Sequence, residues 1–359
     1  MSDDADEPKA KRPKRETLEI EVDGRLLTLS NQAKVLYPQA GFTKGQVVDY
    51  YRRIAPVLVP HLTNRPLTLK RYPHGVDGMF FFEKNATKGR PEWVKTVGVW
   101  GYGRGSELQF ILCNDTPTLV FIANLAALEL HPALGCAPEL ASPTMVVFDL
   151  DPGPPADLVT CCKAALVFRE LFDKAGLRSV VKTSGNKGMQ LYVPLNTPTT
   201  YVETKGWARA IAEDFETRYP DLFVSEMKKS VRDGKIFIDW SQNDANKTTI
   251  SVYSLRARAR PTVSTPISWE EIERCASSGD PTPLVFEAPQ VLERVAKLGD
   301  LFAPALTLKQ PLPDGPRVAT KKRAPRARVE KSPPKPGATK RGKQPPDAPP
   351  PSSEEPSSS

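Results

Sequence analysis

The chain has 359 residues and a formal net charge of +8, and 39% of its residues are hydrophobic, which is enough for a substantial core. No apolar run reaches the roughly 18 residues of a membrane span, the charged N-terminus lacks the apolar stretch of a secretory signal, and the five cysteines form no CxxC pair. These properties predict a soluble cytoplasmic protein and exclude a membrane protein or a small domain built on disulfides or zinc.

Composition divides the chain into three segments. Residues 1–17, with five acidic and five basic side chains, are predicted to be a disordered charged N-terminus, residues 18–302 the folded core, and residues 303–359 a disordered, proline-rich basic tail. The tail holds 12 Lys/Arg against 5 Asp/Glu, so nucleic-acid binding by the core would depend on local clusters of charge. The tail either adds non-specific affinity for phosphate backbones or is a solvated linker.

The core alternates between strand-like and helix-like segments. It opens with a hairpin around Asp23-Gly24, followed by a helix at 44–58 that Pro60 is expected to end. The other predicted strands lie at 66–72, 78–84, 108–114, 144–151, 179–185, 189–195 and 236–240, and the other helices at 116–130, 156–174, 203–219 and 268–275. Strands and helices at this spacing predict an α/β (α+β) fold, in which helices pack on a sheet.

Two aspartates, Asp149 and Asp151, end the apolar strand 144–151. Because side chains alternate along a strand, both point to one face, with Cα atoms roughly 6.5–7 Å apart. Two carboxylates about 4 Å apart repel by roughly 4 kcal/mol at an effective dielectric of about 20, and a shared cation would relieve that repulsion. Oxygen ligands favour Mg²⁺ or Mn²⁺.

The same DxD pattern has two other interpretations. The aspartates could be solvated at the end of a strand. Alternatively, the first aspartate could be the nucleophile of a haloacid-dehalogenase-type phosphatase. Those enzymes usually continue with Gly-Thr, where this chain has Pro152-Gly153.

A glycine-rich loop separates the strands 179–185 and 189–195. It carries Ser184, Gly185, Asn186, Lys187 and Gly188. Glycines let a backbone approach a ligand and turn its N–H groups toward an anion, while the hydroxyl and the ammonium add polar contacts. The loop is therefore predicted to hold a triphosphate, although an ordinary glycine hairpin with an exposed lysine has the same pattern. It is not a Walker loop, because GxxxxGK[ST] leading into a helix is absent.

A third acid, Asp239, lies in the apolar strand 236–240. A carboxylate among apolar neighbours is costly to desolvate unless it is paired or bound to a metal, although an exposed strand end would avoid that cost. Polar and basic residues that could clamp phosphates or a template surround it in the sequence: Arg232, Gln242, Asn243, Lys247, Arg256, Arg258 and Arg260.

Together these motifs resemble the polymerase domain of bacterial DNA ligase D, a member of the archaeo-eukaryotic primase superfamily. The matching stretches are VFDLDPG (147–153), TSGNKG (183–188) and IDWSQN (238–243), with SNQAKVLYP (30–38), FFEK (81–84) and LELHP (128–132) before them. The resemblance covers roughly residues 25–302. It implies a primase-like catalytic core of mixed sheet with flanking helices, plus an N-terminal α/β module, and leaves no nuclease or ligase domain within the 359 residues.

The resemblance also implies roles for individual residues. Asp149, Asp151 and Asp239 would bind two divalent cations, Mn²⁺ or Mg²⁺, for attack of a primer 3′-OH on the α-phosphate. The nucleotide would be bound by Lys70, His131, Ser184, Lys187, Gln190, Arg232, Gln242 and Arg256, with His131 near the sugar, in line with a family preference for ribonucleotides. A DNA 5′-phosphate would be bound by Asn31, Lys34 and Lys44, and Phe81 and Phe82 would stack on template bases.

One position departs from the family pattern. Members often carry a histidine six residues after the serine, where this chain has Gln190, which can donate a hydrogen bond to a phosphate but cannot become cationic. Without the resemblance, His131 would simply end the predicted helix 116–130, and Lys34 and Lys44 would be ordinary surface lysines.

The resulting hypothesis is a DNA-directed nucleotidyltransferase (EC 2.7.7 class) of the bacterial nucleoid. It would extend or gap-fill DNA ends with ribo- or deoxyribonucleotides in non-homologous end joining, and the family points to Ku and a DNA ligase as partners. The alternatives are a catalytically weak module that binds DNA ends and recruits partners, and a DxD phosphatase that hydrolyses phosphate esters without DNA.

Overall fold

The computed structural model describes residues 16–100 and 106–313. Of the segments predicted to be disordered, 1–17 and 303–359, residues 1–15 and 314–359 lie outside the described residues. The strands are β1 (Thr17–Val22), β2 (Arg25–Ser30), β3 (Val35–Tyr37), β4 (Phe42–Thr43), β5 (Leu67–Arg71), β6 (Phe81–Glu83), β7 (Thr96–Val99), β8 (Leu108–Ile111), β9 (Ala127–Pro132), β10 (Met145–Pro152), β11 (Val180–Thr183), β12 (Met189–Pro194), β13 (Phe223–Val224), β14 (Ile236–Asp239) and β15 (Pro266–Ile267). The helices are α1 (Lys44–Leu62), α2 (Thr116–Asn124), α3 (Leu158–Lys174), α4 (Tyr201–Arg218), α5 (Trp269–Ser278), α6 (Ala288–Leu298) and α7 (Pro304–Thr307). Within these ranges, no helix is long and apolar enough to cross a membrane.

The larger sheet has six strands in the order β13-β14-β10-β12-β11-β15. Neighbouring strands are antiparallel except for the parallel β13–β14 pair. Along β10, Phe148 and Leu150 belong to a core shared with α3 and α4, whereas Val147 belongs to a second core on the other side. Because side chains alternate along a strand, Asp149 lies on the same face as Val147, away from α3 and α4.

The second sheet is built from β5 to β9. Its strands run in the order β6-β5-β8-β7, and β9 pairs with β5. The second core includes Tyr51 and Leu58 of α1 together with Leu128 and Leu130 of β9. The prediction of an α/β (α+β) fold, a mixed sheet with flanking helices, is confirmed.

The N-terminal hairpin is also confirmed, because β1 pairs with β2 in antiparallel register. Its two turn residues, Asp23 and Gly24, have φ values of 47° and 74°. Both angles are positive, as a two-residue turn of type I′ requires.

The helix predicted at 116–130 was wrong in its second half. Helix α2 ends at Asn124, and β9 begins at Ala127. Ala126 has a positive φ of 57°, which interrupts the helix. The residues that follow form β9, which pairs with β5, so that Leu130 of β9 lies opposite Leu69 of β5. His131 therefore lies in a strand and does not cap a helix.

Pro60 does not end the first helix, which was also predicted wrongly. Helix α1 continues to Leu62 and contains both Pro56 and Pro60. Proline removes one helical hydrogen bond, but Leu58 and Leu62 are fully buried in the second core, and this burial offsets the loss.

The folded part extends beyond residue 302, where the tail was predicted to begin. Helix α7 lies at Pro304–Thr307, and Gln310 is buried. The Gln310 side chain donates hydrogen bonds to the carbonyl oxygens of Arg178 at 2.9 Å and Pro194 at 2.7 Å. Composition alone does not reveal such single anchoring contacts.

Candidate active site

A row of polar side chains crosses the larger sheet. Asp239 of β14 lies opposite Asp149 of β10, and Asp149 lies opposite Gln190 of β12. Gln190 in turn lies opposite Lys182 of β11. Directly opposed residues of antiparallel strands point to the same face, and Asp151, two residues beyond Asp149, shares that face. The structure thus brings the three predicted acids to one face of the sheet.

The acids of this row repel one another. Burial raises the pKa of Asp149 to about 7, and the charges of Asp151 and Asp239 add to this effect. The turn after β14 holds Asp239, whose Oδ1 accepts a hydrogen bond from the Ser241 N–H at 3.1 Å and whose Oδ2 accepts one from Gln242 Nε2 at 2.8 Å. Between residues 16 and 313, leaving aside 101–105, no three acidic, histidine or cysteine side chains form a ready-made metal-binding group. Cation binding by these acids therefore stays a prediction.

Lys182, a buried lysine that was not predicted as a site residue, ends the row. It is 1% exposed, and its Nζ donates hydrogen bonds to Gln190 Oε1 at 2.6 Å and Ser264 Oγ at 2.7 Å. The Tyr192 hydroxyl donates to the same Gln190 oxygen at 3.0 Å. Two donors thus fix the amide of Gln190, which lies directly opposite Asp149 and lowers its pKa. The signal in the sequence was a charged residue within the apolar strand 180–183, since such a group needs a partner.

The glycine-rich loop between β11 and β12 closes on itself. Ser184 Oγ accepts hydrogen bonds from the N–H groups of Asn186 and Gly188, each at 3.2 Å. These two N–H groups were expected to face an anion, but they donate to a side chain of the loop instead. The cationic group of the loop is the exposed Lys187. Gly185 has a φ of +68°, and a Cβ there would lie 2.6 Å from the carbonyl carbon of Val263, so this position requires glycine.

A cleft of about 530 Å³ lies at the acid row and this loop. Nine predicted site residues line it: His131, Asp149, Asp151, Ser184, Lys187, Gln190, Arg232, Gln242 and Arg256. Lys229, which was not predicted, lines it as well. Asp239 and Lys70 do not line the cleft. Asp239 accepts a hydrogen bond from Gln242, however, and Gln242 does line it. Basic side chains on both sides of paired carboxylates suit an anionic ligand that binds together with cations.

A second charged cluster borders the cleft and has the buried carboxylate of Glu129 in β9 at its centre. Glu129 lies 3.8 Å from Lys70 Nζ, 3.1 Å from His131 Nε2 and 3.3 Å from Arg256 Nε. Burial alone would raise the pKa of Glu129, but the hydrogen bond with His131 and the charges of Arg256 and Lys70 outweigh it and lower this pKa to about 2. Glu129, which was not predicted as a site residue, thus connects three residues that were: Lys70, His131 and Arg256.

The two phenylalanines predicted to stack on a template, Phe81 and Phe82, are 45% and 57% exposed. In the β5–β6 register Phe82 lies opposite Lys70, and its ring centroid lies 6.3 Å from that of His131. Phe81 lies opposite Arg71, whose guanidinium carbon is 5.1 Å from the centre of its ring. The two rings therefore point to opposite faces of β6, and Phe82 is the one on the side of Lys70 and His131.

The residues predicted to bind a 5′-phosphate lie together where β2 leads to α1. The Lys34 N–H donates to the Asn31 carbonyl oxygen at 3.1 Å, and the Lys44 N–H donates to the Lys34 carbonyl oxygen at 2.8 Å. Asn31 and Lys34 are exposed, whereas Lys44 is buried and its Nζ donates to the Ser30 carbonyl oxygen at 2.6 Å. Of the two lysines, Lys34 is the one that faces solvent.

The solved polymerase domain of Mycobacterium tuberculosis ligase D, determined in complex with DNA, matches this structure with a TM-score of 0.73 and 37% sequence identity. The match covers 79% of this chain and 99% of that one, so the fold is that of a ligase D polymerase domain. A family model described as "LigD, primase-polymerase domain" matches residues 43–302. The chain belongs to this family.

Curated relatives agree with this assignment. The multifunctional non-homologous end joining protein LigD of Mycolicibacterium smegmatis is 40% identical over 278 residues, which cover 77% of this chain and 35% of that protein. The bifunctional LigD of Bacillus subtilis is 33% identical over 277 residues, covering 77% of this chain and 43% of that protein. This chain thus matches less than half the length of either relative, and the resemblance inferred from the motifs is confirmed.

Proposed function

We propose that this chain is a DNA repair nucleotidyl transferase that extends or gap-fills DNA ends with ribo- or deoxyribonucleotides in non-homologous end joining. The observation that carries this proposal is the acid row of Asp239, Asp149 and Asp151 beside a cleft lined by basic side chains, in a member of the LigD primase-polymerase family. Its DNA would be gapped, overhanging or broken ends at the nucleoid, and its partners Ku and a DNA ligase.

Asp149, Asp151 and Asp239 would hold two divalent cations, Mn²⁺ or Mg²⁺. The donor set fits such ions because it consists of carboxylate oxygens, which hard cations prefer. The raised pKa of Asp149 reflects burial and a repulsion that a cation would relieve. When bound, such ions lower the pKa of the primer 3′-OH and neutralise charge on the triphosphate.

The side chains around the acid row would place the triphosphate for in-line attack on its α-phosphate. Lys187 and Ser184 approach from the loop, and Arg232 lines the cleft as well. Arg256 is fixed beside the loop, because its Nη1 donates to the Ser184 carbonyl oxygen at 2.8 Å. With the α-phosphate held against the 3′-hydroxyl, attack becomes effectively intramolecular and pyrophosphate leaves.

The remaining groups would orient ligands and DNA. Gln242 donates a hydrogen bond to Asp239, and Gln190 lies directly opposite Asp149, so both would orient acids as well as contact the nucleotide. The sugar would lie near His131, with Lys70 close by. On the DNA side, the exposed rings of Phe81 and Phe82 would stack on template bases, and Asn31, Lys34 and Lys44 would bind a 5′-phosphate.

Primer extension on gapped DNA, with and without a 5′-phosphate at the gap, tests this proposal. With Mn²⁺, the wild-type protein should extend the primer, and the 5′-phosphate should stimulate extension. Changing Asp149 and Asp151 together to alanine should reduce extension by more than the roughly 10–100-fold typical of changes outside a metal's ligands. Lys34→Ala should reduce the phosphate stimulation and leave extension without the phosphate intact.

A matched control for the acidic change is Asp173→Ala, which removes a carboxylate that is 67% exposed in α3. It should extend primers as the wild type does. Equal extension by the wild type and the double aspartate variant would show that the acid row is not catalytic, and a protein that only binds DNA ends would then remain.

A further inference from the structure

Glu129 contacts three of the side chains proposed to bind the nucleotide. It is 3% exposed, and its Oε2 lies 3.1 Å from His131 Nε2 and 3.8 Å from Lys70 Nζ. Its Oε1 lies 3.3 Å from Arg256 Nε and accepts the Ala257 N–H at 3.1 Å. One carboxylate thus holds groups that come from β5, from β9 and from the segment before β15.

The strand register explains why these groups meet. Lys70 lies directly opposite Glu129 in the β5–β9 pair, and His131, two residues after Glu129, shares its face. Arg256 joins this face to the glycine-rich loop, because its Nη1 donates to the Ser184 carbonyl oxygen at 2.8 Å. The carboxylate of Glu129 is therefore tied to both the sugar side and the phosphate side of the proposed nucleotide position.

The charges of the cluster do not cancel. Glu129 stays ionised because its pKa is lowered to about 2. Lys70 and Arg256 each carry one positive charge, and burial lowers the pKa of His131, which favours the neutral ring. One positive charge is left over, which suits a cluster that holds its cations in place and still attracts a triphosphate.

The contact with Glu129 also determines which nitrogen of His131 carries a proton. A carboxylate can only accept hydrogen bonds, so Nε2 of the neutral ring must carry the hydrogen and donate it to Glu129. Nδ1 is then an acceptor on a ring that lines the cleft. A ribose hydroxyl can donate to such an acceptor, and the corresponding carbon of a deoxyribose cannot.

We propose that Glu129 is a positioning residue: it fixes the tautomer of His131 and holds Lys70 and Arg256, and so contributes to the choice of ribonucleotide over deoxyribonucleotide. This inference rests on the proposed nucleotidyl transfer. The neighbouring ring of Phe80, whose centroid lies 4.2 Å from Lys70 Nζ, further restricts that lysine.

The test compares Glu129→Gln with the wild type in primer extension with ribo- and deoxyribonucleoside triphosphates on the same gapped DNA. We expect KM to rise for both substrates, because Lys70 and Arg256 lose their common anion. The ratio of kcat/KM for ribo- over deoxyribonucleotide should fall about five- to tenfold, because an amide at position 129 no longer dictates the tautomer of His131. An unchanged ratio would overturn the proposal.

Two further variants separate this role from a loss of folding. Asp300→Asn alters another histidine–carboxylate pair, which is partly buried and in which Asp300 Oδ2 lies 2.8 Å from His61 Nε2. It should lower stability but leave the ribo/deoxy ratio unchanged. In a His131→Ala background, Glu129→Gln should change that ratio no further, since its effect acts through the ring. A further change of similar size in the double variant would contradict the assignment.

Nitrogen NMR of His131 gives a readout that needs no activity. The chain has 3 histidines, so comparison with His131→Ala identifies the resonance. In the wild type the proton should reside on Nε2, and in Glu129→Gln the ring should become a mixture of tautomers. A wild type that extends no primer would refute the proposed function, whereas a wild-type ring protonated on Nδ1 would refute the role of Glu129 by itself.

Discussion

The acid row of the larger sheet and the Glu129 cluster of the second sheet border the same cleft, but their buried carboxylates have pKa values shifted in opposite directions. In the row, burial and neighbouring carboxylates raise the pKa of Asp149 to about 7. In the cluster, a histidine and two cations lower the pKa of Glu129 to about 2, although burial opposes this. In the cluster the cations outweigh the cost of burying the carboxylate, whereas in the row the charge of Lys182 only partly opposes the rise in the pKa of Asp149.

The difference indicates which region is arranged for a ligand and which for fixed geometry. A carboxylate whose ionised form is destabilised by its neighbours is stabilised when a divalent cation binds, so the acid row favours cation binding. A carboxylate that is already paired gains nothing from a metal and instead fixes the direction of its partners. A change from carboxylate to amide should therefore alter stability in opposite directions at the two positions.

Glu129→Gln should have the larger effect, a loss of roughly 2–3 kcal/mol of unfolding free energy at pH 7, because it leaves Lys70 and Arg256 near each other without a common anion. The pKa of Glu129 is lowered in the folded protein, so its contribution is present above about pH 4.5 and disappears as the pH falls toward 2. Urea unfolding at pH 7 and at pH 3 measures this. A loss that is as large at pH 3 as at pH 7 would mean that the contribution is not electrostatic.

Asp149→Asn should stabilise the metal-free protein by on the order of 1–2 kcal/mol at pH 8. The pKa of Asp149 is raised in the folded state, so the folded protein retains a proton that the unfolded chain has released. The wild type therefore loses stability as the pH rises from about 4 to 7, and the advantage of the variant grows over that range and is complete above it.

Thermal unfolding in the presence of a chelator, at pH 5 and pH 8, measures the effect of Asp149→Asn. Asp173→Asn, an amide change at an exposed carboxylate in α3, is the matched control and should change little at either pH. A destabilised Asp149→Asn protein at pH 8 would remove the contrast between the two regions.

The same two regions differ in how far the sequence revealed them. Asp149 and Asp151 end an apolar strand before a proline, and strand periodicity alone places them on one face, as found. Glu129 was missed because the apolar stretch 116–130 was predicted as one helix. The break depends on the positive φ of Ala126 and on pairing of β9 with a distant strand, neither of which local periodicity encodes.

In a strand over 127–132, side-chain alternation puts Glu129 and His131 on one face. The sequence therefore contained this pairing, but the helical period assumed for 116–130 hid it. Lys182 illustrates a different limit. Its position in an apolar strand indicated that it needed a partner, but the partners Gln190 and Ser264 lie 8 and 82 residues away and become neighbours only through the sheet. Pairing of this kind follows from topology, which the motifs do not contain.

Lys182→Met tests whether Lys182 offsets part of the negative charge of the acid row, and its effect on stability should be smaller. The cost of burying the Lys182 ammonium, which also lowers its pKa well below the usual value, offsets much of its attraction to Asp149. Replacing it with an apolar side chain of similar length should therefore change the unfolding free energy by no more than about 1 kcal/mol. Gln190 Oε1 would keep the Tyr192 hydroxyl as a donor, and the Ser264 hydroxyl would still donate to the Thr183 carbonyl oxygen, so neither oxygen is left without a hydrogen bond.

The effect of Lys182→Met should instead appear in the pH dependence of primer extension. The charge of Lys182 lowers the pKa of Asp149, so its removal should raise that pKa further and shift the rising limb of the activity profile to higher pH. Added Mn²⁺ should partly restore the profile, because the cation competes with the proton for the same oxygens. If the profile of the variant coincides with that of the wild type, Lys182 only fills space, and the acid row depends entirely on its ligand for compensation.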